Sequence, residues 1–135
     1  AEGCDRKCTY CIIPKLRGPC RSRPLDDIVR EAGKLVAGGA GELNLVAQDS
    51  TSWGYDLAPP AHPADLLSAL AGLSKNLWVR MLYGHPDRID DRLLRTMGRT
   101  PGILPYFELT LKRGCLNIQV KKSKSPHRFV SNLCN

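Results

Sequence analysis

An α/β fold with a parallel sheet is what this 135-residue sequence predicts. Apolar residues recur at helical spacing in three separate segments. A short apolar run of strand-like composition follows each of them. The resulting order is loop, helix, strand, helix, strand, helix, strand. Strands alternating with helices imply crossover connections and parallel pairing. The length suits one core, since a domain commonly holds roughly 100–200 residues.

Residues 1–24 read as a loop, broken by Gly3, Pro14, Gly18, Pro19 and Pro24 and without a sustained apolar period. In 25–39, Leu25, Ile28, Val29, Ala32, Leu35 and Val36 fall at helical spacing. Asp26 and Asp27 occupy the first turn, and Gly38 and Gly39 stop the helix. Residues 42–49, ELNLVAQD, form a short apolar strand with a polar end. A loop over 50–63 contains Gly54 and three prolines. A second helix is predicted over 64–73, a second strand over 76–86, a third helix over 87–98 closed by Gly98, and a third strand over 103–111. Open parallel sheets place their chemistry at the carboxyl ends of the strands. Here those ends are Gln48-Asp49, Tyr83-Gly84-His85-Pro86, and whatever follows Leu111.

The hydrophobic share of 42% and charged share of 24% are ordinary for a soluble globular chain. No apolar run approaches the roughly 18 residues that a membrane span needs, and no basic-then-apolar leader opens the chain. The net charge of +7 is confined to the ends. Residues 1–24 carry six basic and two acidic side chains, residues 112–135 carry six basic and none acidic, and the body 25–111 carries eight basic against eleven acidic. The body is thus mildly acidic, which argues against a uniform nucleic-acid face.

Of the six cysteines, Cys4, Cys8 and Cys11 fall within eight residues, Cys20 follows, and Cys115 and Cys134 lie near the end. A disulfide scaffold would spread its bridges along the chain. Clustered thiolates bind soft metals and iron–sulfur clusters. Zinc sites usually show four ligands in two separated pairs. Here no fourth ligand follows at suitable spacing: Cys20 is nine residues on and His62 is far away. Three thiolates on a cubane of four irons leave one iron open to a small chelating ligand. A zinc knuckle with a distant fourth ligand, or an incidental grouping, stays open as the alternative.

The string C-x-x-x-C-x-x-C, with an aromatic before its last cysteine, resembles the radical S-adenosylmethionine (SAM) superfamily. The wider string EGCDRKCTYCIIPKLRGPCRSRP, residues 2–24, looks like its methylthiotransferase branch through Glu2-Gly3, Ile12-Ile13-Pro14, Arg17-Gly18 and Arg21-Ser22-Arg23-Pro24. The likeness continues through LVAQDSTSWGYDL (45–57), WVRMLYGHPD (78–87) and ILPYFEL (103–109), about four fifths of the chain. Gln48-Asp49 followed by Ser-Thr-Ser-Trp-Gly resembles the members that modify an aspartate of small-subunit ribosomal protein twelve; tRNA-modifying members typically carry a Gln-Asn type pair there.

The resemblance implies a partial parallel (β/α) barrel of the radical SAM type, incomplete at both ends. Residues 1–111 would be the partial radical SAM domain, with 1–24 as the cluster-binding loop and 25–111 as helix/strand repeats. Cys4, Cys8 and Cys11 would each ligate one iron of a 4Fe–4S cluster, and the open iron would take the amino and carboxylate groups of SAM. An electron from flavodoxin or ferredoxin, through the cluster, would cleave SAM to methionine and a 5′-deoxyadenosyl radical. That radical would take hydrogen from the β-carbon of the target aspartate, and a methylthio group would follow. Cytoplasmic location, no membrane association and a ribosomal-protein partner follow from the same likeness, with direct nucleic-acid binding left open.

By this likeness Tyr10 would lie near the adenine; a plain packing aromatic is the alternative. Gln48 and Asp49 read as cofactor-binding or as a polar strand end or cap. Arg80, inside an apolar strand, must be paired, either with a SAM carboxylate or with an Asp or Glu of the core. Arg17, Arg21 and Arg23 read as guanidiniums for the SAM carboxylate or a partner, or as a solvated basic loop. His85 before Pro86 reads as shaping a turn, and Cys20 as a bystander thiol. Cys115 and Cys134 take no role.

A complete member would also carry an upstream domain with a second cluster and a C-terminal barrel domain. Its third strand would run into a string like Asp-Leu-Pro-Leu-Gln-His, where this chain reads Glu108-Leu109-Thr110-Leu111-Lys112-Arg113. Residues 112–135 then read as an unmatched basic tail, as from a frameshift, a truncated gene or a partial reading frame. Exposed sheet edges would make the chain unstable or oligomeric. The competing functions are a tRNA-adenosine methylthiotransferase, an inactive gene remnant, and a zinc-binding nucleic-acid module.

Overall fold

The computed structural model describes residues 1–109. The helices are α1 (Ile13–Arg17), α2 (Leu25–Ala37), α3 (Pro63–Ala71) and α4 (Asp91–Arg99), and the strands are β1 (Glu42–Leu45) and β2 (Trp78–Met81). β1 and β2 pair in parallel, Glu42 opposite Trp78 and Leu45 opposite Met81, with α3 as the crossover between them. The predicted α/β class with parallel strands is therefore the observed one. No helix among the described residues is long and apolar enough to cross a membrane.

The third strand is only partly formed. Ile103 bridges Val79 and Leu109 bridges Gly84, both in parallel. Between them Pro105 has no N–H to offer a ladder, and the Tyr106 N–H turns back to the Leu104 carbonyl at 2.8 Å. The segment lies alongside β2 without a continuous ladder. Thr110 and Leu111, the tail 112–135, Cys115 and Cys134 lie outside the described residues. β2 is also shorter than predicted, because Tyr83 takes φ 56°, a left-handed conformation that breaks a strand.

The alternation of the strands sorts their faces. Leu43, Val79 and Met81 are buried with Leu66, Leu67 and Leu70 of α3 and Leu93 and Met97 of α4. On the opposite face Glu42, Asn44 and Trp78 are exposed and Arg80 is half-buried. The described helices thus cover one side of the sheet. α3 buries Pro63, Ala64, Leu66, Leu67 and Leu70, whereas α2 fully buries only Ala32. His62 starts α3 with a reciprocal capping box, its Nδ1 accepting from the Ala64 N–H while Asp65 accepts from the His62 N–H. The other ring nitrogen of His62 meets Asp90 at 3.0 Å, and Asp90 caps α4 through the Leu93 N–H. Helix starts on the strand-end side of the fold are joined by that pair, and Arg92 adds an ion pair to Asp65.

Candidate functional site

The first 24 residues, read as a loop, contain the short helix α1 and close on themselves. Glu2 and Arg21 form an antiparallel bridge, with hydrogen bonds of 3.0 and 2.7 Å. The Cys4 N–H donates to the Gly18 carbonyl at 3.1 Å, and the Cys20 N–H donates to Asp5 at 3.0 Å. The loop is fastened to the body by Ser22 N–H to Asp56, Gly54 N–H to Ser22 Oγ and Trp53 Nε1–H to the Arg23 carbonyl. Gly3 permits the closure. Its φ is +78°, and a Cβ there would sit 2.0 Å from the Pro19 carbonyl oxygen. Gly3→Ala is expected to destabilise the closed loop by roughly 2–3 kcal/mol or more; faster amide exchange at Cys4 and Arg21, with β2 unchanged, checks it.

The three thiols sit at different depths: Cys4 is buried, Cys8 half-buried and Cys11 exposed, and none is in a disulfide. The Cys11 N–H donates to the Cys8 carbonyl at 3.0 Å, so these two share one turn. Burial pushes the Cys4 thiol above its ordinary value, with the Asp49 carboxylate and Cys11 adding to the rise and Arg6 opposing it. Among the described residues no three His, Cys, Asp or Glu side chains converge as a metal site.

Arg6, between Cys4 and Cys8, joins this loop to the strand ends. Its Nε donates to Asp49 at 3.0 Å and its Nη1 to Asp87 at 3.3 Å. Asp49 follows β1 and Asp87 follows β2. Asp49 is only 4% exposed. It also accepts from the Thr51 N–H and hydroxyl and from the Ser52 hydroxyl. The Thr51 hydroxyl in turn accepts from the His85 N–H at 3.0 Å. One hydrogen-bonded network therefore links the cysteine loop, the end of β1 and the end of β2. The remaining guanidinium nitrogen, Nη2, is buried and has no hydrogen-bond partner among the described residues.

Burial alone would raise the Asp49 carboxyl, but hydrogen bonds from Ser52, Thr51 and Arg6 outweigh it and hold the group below its ordinary value of 3.8. Asp56 and Asp90 are lowered in the same sense, against burial, chiefly by the Ser22 and Leu93 interactions respectively. The folded chain therefore binds these protons less tightly than the unfolded one. Their stabilisation is complete above about pH 4 and is lost as pH falls through the lower folded values. Circular dichroism against pH is expected to show acid unfolding that begins only below about pH 4. Asp49→Asn is expected to flatten that dependence.

The other sequence-predicted residues divide by partner. Arg17, at the end of α1, pairs with Glu2 at 2.7 Å on the surface, and Arg23 pairs with Glu31 at 2.6 Å. Arg80 has the carboxylate of its own chain, Glu42, at 2.8 Å, and lies 5.6 Å from the centre of the Tyr106 ring. Tyr10 and Gln48 are exposed. His85 accepts from the Asp87 N–H and caps a 3-10 turn. Cys20 is buried, which raises its thiol, beside a cavity of about 230 Å³ shared with Asp5, Arg6, Asp56 and Arg88. Sequence reasoning missed Arg6, Thr51 and Asp56. The Asp-Ser-Thr-Ser run after β1 carried a capping signal for the second; no spacing signalled the other two.

Residues 1–112 match the family model described as "Radical SAM superfamily". The chain belongs to the radical SAM superfamily. Its curated relatives include proteins named ribosomal protein uS12 methylthiotransferase RimO. That of Desulfosudis oleivorans is 54% identical over 112 residues, covering 83% of this chain and 26% of the relative. That of Syntrophobacter fumaroxidans is 45% identical over 133 residues, covering 96% and 30%. That of Clostridioides difficile is 41% identical over 135 residues, covering 99% and 30%. The chain thus spans 25–30% of the length of these and similar relatives, and two of the three alignments extend past residue 112.

Radical SAM proteins use a 4Fe–4S cluster and SAM. The residues present fit that group. Three thiols outside any disulfide occupy one folded loop, and the donor set is all sulfur, the chemistry that iron–sulfur clusters require. Arg6, between Cys4 and Cys8 in the chain, keeps a buried N–H, Nη2, without a hydrogen-bond partner among the described residues.

Proposed function

We propose that this chain is the cluster- and SAM-binding part of a methylthiotransferase that adds a methylthio group to the β-carbon of an aspartate in ribosomal protein uS12. The observation that carries the reading is the closed three-cysteine loop latched by Arg6 to Asp49 and Asp87 beyond the ends of β1 and β2. Parallel sheets present ligands at that end. The names of the relatives, ribosomal protein uS12 methylthiotransferases, support the substrate.

Cys4, Cys8 and Cys11 would hold the cluster, which when bound supplies one low-potential electron to the sulfonium of SAM. The chain's own part is to bind, orient and shield. Gln48 and Tyr10, both exposed, are read as lying against SAM. Arg17, Asp49 and Arg80, each engaged within the chain, are read as holding the loop and sheet in shape around it. The sheet is read as a segment of a (β/α) barrel: neighbouring parallel segments follow chain order. Helices cover one face, and the other carries Glu42, Asn44 and Arg80. The electron would come from a small redox protein such as flavodoxin or ferredoxin, in the cytoplasm where ribosomal proteins are modified.

The test is anaerobic reconstitution of the chain with iron and sulfide, followed by reductive cleavage of SAM. Brown absorption lost in air, together with 5′-deoxyadenosine and methionine in equal amounts, is expected. One tightly held zinc with no iron uptake would overturn the proposal in favour of a zinc module.

A further inference from the structure

We propose that Arg6 is a positioning residue for the bound cluster. Two of its guanidinium nitrogens lock the cysteine loop to the ends of β1 and β2, and the third, Nη2, is reserved for a cluster sulfur. The inference rests on the reading of Cys4, Cys8 and Cys11 as ligands. Arg6 lies between two of those cysteines in the chain, so a clasp at this residue sets where both backbones stand. Its Nε and Nη1 are taken by Asp49 and Asp87 at 3.0 and 3.3 Å. Its Nη2 is buried and has no partner among the described residues.

A buried charged donor calls for an acceptor. Cys4 and Cys8 stand two residues to either side of Arg6, so a cluster held by them would bring sulfur acceptors to its guanidinium. A cluster held by three thiolates carries net negative charge that grows on reduction. A fixed cationic N–H to one of its sulfurs stabilises the reduced form more than the oxidised form and raises the reduction potential. A lysine keeps the charge but cannot offer three N–H groups in a planar fork.

The experiment compares the full chain with R6Q and R6K, with R30Q as a control that removes a surface charge on α2. In the metal-free protein, amide exchange at Cys4, Cys20 and Arg21 is expected to quicken at least ten-fold in R6Q, with β2 protection unchanged. After reconstitution, R6Q is expected to hold less iron and sulfide. Whatever cluster it holds should have a midpoint potential, titrated with dithionite, more negative than that of the unsubstituted chain. R6K should fall between them, and R30Q should match the unsubstituted chain. R6Q with unchanged loop exchange overturns the clasp. R6Q with unchanged potential but weakened SAM binding assigns Nη2 to the SAM carboxylate and overturns the sulfur contact. If the unsubstituted chain takes up no iron and sulfide, the ligand reading itself fails. If it loads normally and R6Q matches it in loading, potential and exchange, only the present inference fails.

Discussion

Replacing Cys4, Cys8 or Cys11 by alanine is expected to reduce iron and sulfide retained after reconstitution at least ten-fold, while Cys20→Ala retains the cluster. Each thiolate would anchor one iron, and a cluster left on two protein ligands exposes two irons to solvent and oxygen. The structure separates this effect from folding. Cys8 is half-buried and Cys11 exposed, and neither belongs to the core. Their removal is therefore expected to shift the metal-free melting temperature by no more than a surface substitution does, about 0.5 kcal/mol. Cys4 is buried, so Cys4→Ala adds a modest packing loss. Metal analysis and visible absorption, measured beside thermal melts of the same samples, check both halves. Iron content and spectrum unchanged in any one of the three variants would remove the basis of the proposed function.

Asp49→Ala is expected to destabilise the fold by about 3 kcal/mol, the range for stripping one partner from a buried ion pair. The carboxylate is 4% exposed, against 20% for the Arg6 side chain. Without it Arg6 retains only Asp87, which is 61% exposed and 3.3 Å away, where solvent screens the attraction. The buried Thr51 N–H also loses its acceptor, and the link from His85 through the Thr51 hydroxyl ends at a methyl group. For a domain of this size the loss corresponds to a fall in Tm on the order of 10 °C. Asp49→Asn keeps acceptor capacity but not the charge, so a smaller fall is expected. Asp49→Ala should lose stability and cluster loading together, whereas Cys11→Ala should lose loading alone. A thermal melt of Asp49→Ala that matches the unsubstituted chain would show that the network contributes little to the fold.

Helices α2, α3 and α4 were legible because their apolar residues recur with the helical period, whereas the single turn and a half of α1, Ile13–Arg17, lies in the segment read as a loop. Leu66, Leu67 and Leu70 of α3 and Leu93 and Met97 of α4 all reach the core. Strand existence and parallel direction were legible from the alternation of element types. Strand length was not. Tyr83 leaves the ladder through a left-handed conformation and Pro105 breaks the third segment, and neither effect shows in hydrophobic pattern. The closed form of residues 1–24 was hidden for a related reason. Its ties, Glu2 to Arg21 and Cys4 to Gly18, are backbone contacts across turns, which leave no period to read.

The clustering of the thiols and the class of fold could be read along the chain, because cysteine spacing and apolar periodicity are local properties. Tertiary structure alone decided which charges meet. Arg6 finds Asp49 across 43 residues and Asp87 across 81, and Arg80 finds Glu42 across 38. Such pairings depend on how two strands and a loop are brought side by side. The free energy of burying a charge then selects the partner within reach, and no local pattern encodes that distance.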